Sequence, residues 1–274
     1  MTAAQFVRCF NGIFVREVLR FVNQYGRFFA ALVRPLVWLF IFAAGFRSVL
    51  GVSIIPPYQT YVLYEVYITP GLIGMIQLFN GMQSSLSMVY DREMGSMRTL
   101  MVSPMPRWYL LTSKLLAAVL VSILQVFVYL AIASFFFRIR PPVYGYVTVI
   151  PALILSGLML GSIGLLLSSL IKQLENFAGI MNFVIFPMFF ASSALYPLWR
   201  MKESSLTLYY ICAWNPFSHA VELVRFALYG QINWQALGLV LAFLFVFLSA
   251  AIYGYDPSRG IIARRGGPGG PPGG

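Results

Sequence analysis

The sequence predicts an all-α integral membrane protein with about six transmembrane helices, and three observations predict it. Of 274 residues 59% are hydrophobic and only 10% are charged, against about 25% charged in ordinary soluble domains. The apolar residues fall in runs near twenty, the length a helix needs to cross roughly 30 Å of hydrocarbon at about 1.5 Å per residue. The short alternating segments of a spanning β-barrel are absent from the sequence.

Taken in order, residues 3–21 form a basic amphipathic helix. Phe6, Phe10, Ile13, Phe14, Val18 and Phe21 share a broad face, and Arg8, Gly12, Arg16 and Arg20 line the other. Such a helix is expected in the membrane interface, Phe side in lipid and Arg side among headgroups. The same arginines interrupt the first apolar stretch and argue against a cleavable signal peptide. The first span is read at 28–50, with Arg34 and Pro35 near its start. An arginine at mid-bilayer costs ~2.5 kcal/mol or more, so Arg34 is expected to reach back to the headgroups.

The second span is read at 62–89, the third at 108–137 and the fourth at 147–170. Gly157, Gly161 and Gly164 lie along the fourth in a spacing that admits close approach of another helix. The fifth span covers 177–196 and the sixth 232–254. Residues 220–229 are too short and, with Glu222 and Arg225, too charged for a span. The stretch from 197 to 231 therefore reads as short helices dipping into the outer leaflet. Residues 1–256 make a single membrane domain, and 257–274, rich in Gly and Pro, make a disordered tail.

Charge gives the orientation. With both termini cytoplasmic, thirteen of the nineteen basic residues fall inside and six outside. The net charge of +11 is spread beside the spans rather than gathered in a patch. Anionic lipid headgroups, not nucleic acid, are the partner it fits. Cys9 and Cys212 fall on opposite sides in this topology, which precludes a disulfide between them.

Catalytic chemistry is missing. The chain has no G-x-x-x-x-G-K phosphate loop and so should not bind ATP alone. One histidine, His219, and two separated cysteines make no zinc site. Eight acidic residues, nearly all at span ends or in loops, form no carboxylate chain for ion coupling. This weighs against two alternatives, a secondary transporter driven by an ion gradient and a membrane-embedded lipid transferase.

Between the second and third spans the chain reads Asp91, Arg92, Glu93, then Gly95, Ser96, Arg98, Leu100 and Pro104, with Lys114 inside the next helix. Before the last span it reads Asn215, Pro216, Phe217, Ser218, His219, then Glu222 and Arg225. Order and topology together resemble the type-2 family of ATP-binding-cassette (ABC) export permeases, with departures at Asp91 (usually Glu), Ser96 (usually Thr) and Ser113 (often Gly). The resemblance implies a bacterial inner-membrane homodimer, or a pseudo-symmetric pair, joined to two copies of a separate nucleotide-binding ATPase that holds ATP and Mg. It also implies that 91–104 is the ATPase-coupling loop and 215–225 an outer segment. The cargo would be amphipathic: drug-like, lipid-like or a lipid-linked glycan.

Two stripes are candidates for its path. Gln77, Asn80, Ser84 and Ser87 recur on one face of the second span, and Phe183, Phe186 and Phe190 on one face of the fifth. Amides facing lipid would forfeit hydrogen bonds, so the polar stripe should face protein or a water-filled cavity. The alternative for both stripes is helix packing.

Overall fold

The computed structural model describes residues 3–23, 25–46, 56–58, 62–94, 105–137, 139–171 and 173–255. Among them are ten helices: α1 (Ala3–Asn23), α2 (Tyr25–Phe46), α3 (Tyr64–Glu93), α4 (Arg107–Phe137), α5 (Gly145–Leu170), α6 (Leu174–Phe190), α7 (Leu198–Ser204), α8 (Leu206–Trp214), α9 (Pro216–Ala227) and α10 (Trp234–Gly254). By length and composition α4, α5 and α10 are able to cross a membrane. Shorter apolar stretches lie at Leu32–Phe42 in α2 and along α6. The predicted all-α membrane architecture is what the structure shows.

The centre of the bundle is α3, thirty residues long and buried along most of its length. It lies against α5 because both are cut by glycines. A Cβ added to Gly81 would sit 2.6 Å from the Cα of Gly161, so the two backbones touch. Gln77, fully buried, ties the same pair polar to polar: its Nε2 donates to the Leu153 carbonyl at 2.7 Å, and Ser156 Oγ donates to its Oε1 at 2.7 Å. Replacing Gln77 with Leu removes both links. Interhelical hydrogen bonds in membranes average only about 0.6 kcal/mol each, so a loss of roughly 1 kcal/mol in thermal unfolding of the detergent-solubilised protein is expected.

Several boundaries differ from the sequence reading. Helix α3, read from the sequence as the second span, runs on to Glu93, because Asp91, Arg92 and Glu93 each find a partner on a neighbouring helix and the last turn is held. The fifth span begins at Leu174 and stops at Phe190. Its end is capped by Asn215, whose Nδ2 donates to the carbonyls of Met188 (2.8 Å) and Ala191 (2.6 Å), while its Oδ1 accepts from Phe217 N–H at the start of α9.

That cap places the start of α9 at the far end of α6. The other end of α9 meets the first turn of α5, where Thr148 Oγ1 donates to the Ala227 carbonyl at 2.6 Å. From there α10 runs the length of α5, and the Tyr255 hydroxyl joins Ser168 Oγ at 2.7 Å near the opposite end. Residues 191–233 therefore leave and re-enter the bundle at one end without crossing it. Here α9 is no solvated surface helix: Phe217, Val221, Val224 and Arg225 are buried. Arg225 is ion-paired with Glu222, donates to the Ser193 carbonyl at 3.0 Å and lies over the Tyr67 ring.

The amphipathic helix α1 packs on α4 through the start of its Phe face: Phe6 meets Tyr109 edge-on at 4.8 Å, and the Tyr109 hydroxyl donates to the Phe6 carbonyl, while Phe10, Phe14 and Phe21 are half-buried. Val7, Val15, Leu19 and Val22 are the exposed apolar side chains.

Candidate functional site

The last turn of α3 gathers a dense set of charged contacts among the described residues, at the end of the bundle that carries α1. Asp91 is almost fully buried and receives three cations: Lys114 Nζ of α4 at 3.1 Å, Arg16 of α1 at 3.3 Å and Arg20 of α1 at 3.4 Å. Burial pushes the Asp91 carboxyl up, but Lys114, Arg16 and Arg20 outweigh it and hold the group below its ordinary value. One carboxylate thus joins three helices.

The next two residues act on a different element. Arg92 donates through Nη2 to the Ser168 carbonyl at 2.7 Å and reaches the Ile171 carbonyl at 3.5 Å, while its guanidinium lies over the Tyr255 ring. These carbonyls are the open C-terminal acceptors of α5. Glu93 accepts the Leu174 N–H at 2.9 Å, an open N-terminal donor of α6. A cation at a helix C-terminus and an anion at a helix N-terminus each complement the helix dipole. Arg92 and Glu93 thus staple the two sides of the short connection between α5 and α6, Arg92 from a half-buried position and Glu93 from an exposed one. Gly95, Ser96, Arg98, Leu100 and Pro104 lie outside the described residues, as does the tail.

The other candidate residues separate into two groups. Gln77 and Asn80 spend their amides on helix-to-helix links, Asn80 Nδ2 donating to Gln125 Oε1 on α4 and to the Ile76 carbonyl. The Ser87 hydroxyl donates to the Ser84 carbonyl within α3. The aromatic stripe is more open. Phe183 is 78% exposed, whereas Phe186 meets Phe79 of α3 at 6.4 Å and stacks on Phe190. In the outer segment Asn215 is the double cap, Pro216 fills the first turn of α9, and half-buried Glu222 pairs with buried Arg225.

Sequence reasoning missed the joining role of Arg16 and Arg20, which the helical wheel assigned to headgroups. It also misplaced Arg34. Its guanidinium carbon sits 3.9 Å from the centroid of Phe79, midway along α3, not at a helix end. The available signal was simply an arginine inside an apolar run.

Comparison with known proteins agrees with this architecture. A family model described as "ABC-2 type transporter" matches residues 8–229. The "Putative transport permease ycf38" of Pyropia yezoensis is 27% identical over 231 residues, covering 82% of this chain and 75% of that protein. The protein of the same name from Cyanophora paradoxa is 26% identical over 209 residues, 75% of this chain and 68% of the other. The "Probable multidrug ABC transporter permease YbhR" of Escherichia coli K12 is 30% identical over 171 residues, 61% of this chain and 45% of its own. The chain belongs to the ABC-2 type transporter family, as a transport permease subunit of the membrane.

Proposed function

We propose that this chain is the permease subunit of an ATP-driven exporter, working as a homodimer with two copies of a separate ATPase. ATP and Mg are held by that partner; this chain supplies the membrane path and the mechanical link. The α1 end of the bundle is the cytoplasmic end in a bacterial inner membrane. The cargo is amphipathic and leaves the cytoplasm or the inner leaflet.

One observation supports this reading above the rest. Asp91, Arg92 and Glu93, directly ahead of segment 94–104, bind α1, α4, the α5–α6 connection and the ring of Tyr255 into one unit. The ATPase docks on 94–104, where Gly95 permits close backbone approach. Arg92 and Glu93 then carry displacement into α5 and α6. Few flexible residues intervene to absorb the motion.

The test is co-purification of the full chain with a phosphate-loop ATPase, followed by transport in membrane vesicles. ATP-dependent transport by the complex, absent from either subunit alone, is expected. Transport under an ion gradient without ATP would overturn the reading in favour of a secondary transporter.

A further inference from the structure

The described chain ends at the edge of an open groove. The end of α10 is fixed on the last turn of α5: the Tyr255 hydroxyl meets Ser168 Oγ at 2.7 Å, and a Cβ added to Gly254 would sit 2.5 Å from Ser169 Oγ. The next two residues, Leu170 and Ile171, border a groove of about 760 Å³ together with Gln173, Glu175, Gly179 and Ile180. It lies along the α5–α6 connection and the first turns of α6.

Packing within the bundle does not account for what the groove presents. Leu170 is 62% exposed and Ile180 39% exposed, and a Cβ on Gly179 would meet nothing within 4 Å. Glu175 is exposed as well and enters none of the ion pairs among the described residues. The groove thus offers an apolar rim, a clear floor at Gly179 and a carboxylate with no counter-charge.

The sequence beyond Tyr255 complements it. After Asp256, its one acid, it brings Arg259, the apolar pair Ile261 and Ile262, then Arg264 and Arg265. From Tyr255 to Ile261 an extended chain reaches up to about 20 Å, whereas α6 rises only about 9 Å between Leu174 and Ile180. Other occupants fit less well. Anionic headgroups would meet Glu175 with like charge. Helix α6 contains no Lys or Arg, so a second copy laid α6 against α6 would bring Glu175 no cation.

We propose that residues 259–265 dock in this groove of their own chain, Ile261 and Ile262 on Leu170, Ile171 and Ile180, and Arg264 and Arg265 on Glu175. Tethering at Tyr255 gives an effective concentration on the order of millimolar, so contacts too weak for a free peptide suffice. The groove borders the connection where Arg92 reaches the Ile171 carbonyl and Glu93 accepts the Leu174 N–H. A docked segment therefore restrains the α5–α6 junction. This deepens the exporter reading by adding a restraint to that junction, and rests on it for the consequence, slower ATP hydrolysis by the partner.

The test uses the full chain in maltoside detergent with p-benzoylphenylalanine in place of Ile180. Near-ultraviolet light is followed by a denaturing gel and peptide mass spectrometry. The expected product is monomer-sized and links position 180 to the peptide containing Ile261 and Ile262. Arg264→Glu combined with Arg265→Glu should lower the yield about threefold or more, the range open to exposed ion pairs. Adding Glu175→Lys to that pair should restore it.

Capture of detergent alone overturns the docking, and so does a dimer-sized product, whichever peptide it carries. An unchanged yield in the double tail variant, or a swap that restores nothing, overturns the pairing with Glu175. The double tail variant alters nothing in the bundle, so it decides alone should Glu175→Lys not fold. With the ATPase bound, the same tail variant should hydrolyse ATP about twofold faster or more as the docked fraction falls. Unchanged hydrolysis beside intrachain capture would overturn the restraint. No ATPase enters the capture assay, so its failure leaves the exporter reading standing, and a chain that captures its tail but joins no ATPase sinks that reading alone.

Discussion

Asp91→Asn is expected to release α1 from the bundle and to cost about 3–5 kcal/mol of stability, the range for removing one partner of a buried ion pair. The carboxylate is buried while Lys114 beside it is 8% exposed, so the lysine cannot recover its hydration when the counter-charge goes. Arg16 is about half exposed and Arg20 less so; both can return to solvent or headgroups, and α1 goes with them. The pH dependence has the same origin and a definite sign. Because the folded-state carboxyl is held below its ordinary value, its contribution is present at neutral pH. It is lost as pH falls through that lowered value. A nitroxide at Val7, exposed on α1, should become strongly mobile in the variant. Unchanged mobility and unchanged melting would show that the cluster does not hold α1.

Gly161→Leu should have an effect of similar size by a different route. A single Cβ on Gly161 would approach the Leu115 side chain at 2.5 Å, and one on Gly81 would strike the Gly161 backbone. Flexible Leu115 is able to yield to one methyl group, but a leucine also needs room for three more carbons against α4. Overpacking typically costs about 1–3 kcal/mol, and more where backbone must move. Since α3–α5 is the central contact, the expected outcome is loss of monodisperse protein in size exclusion, with Gly161→Ala intermediate. A Gly161→Leu protein that elutes and melts as the native chain does would contradict the close packing.

Much of the architecture was legible because a membrane leaves so few choices. Runs of apolar residues near twenty can only be helices there, and the glycines of α5 announced a close helix contact without naming α3 as the partner. The failures share a physical cause. A helical wheel shows which residues share a side, not what covers it, so the contact of Phe6 with Tyr109 at the start of the Phe face of α1 was not foreseen. Arg34 went to the headgroups because the cost of burying charge was weighed without the ring of Phe79. That Arg92 and Glu93 meet open helix ends 76 and 81 positions away is a long-range contact that nothing in a sequence reveals. The double cap by Asn215 is likewise a long-range contact, visible beforehand only as an Asn-Pro pair.

Within the coupling account, Arg92 and Glu93 pass the movement of an ATPase docked on 94–104 into the junction of α5 and α6. The direct measurement is the distance between nitroxides at Val7 on α1 and Asn176 in the first turn of α6, both exposed. It is taken in the complex of the full chain with its ATPase, before and after addition of ATP. The account predicts a shifted distance distribution on ATP binding, and loss of that shift in Glu93→Ala, where the Leu174 N–H has lost its acceptor. A shift of the same size in Glu93→Ala, or none in the native complex, would contradict it.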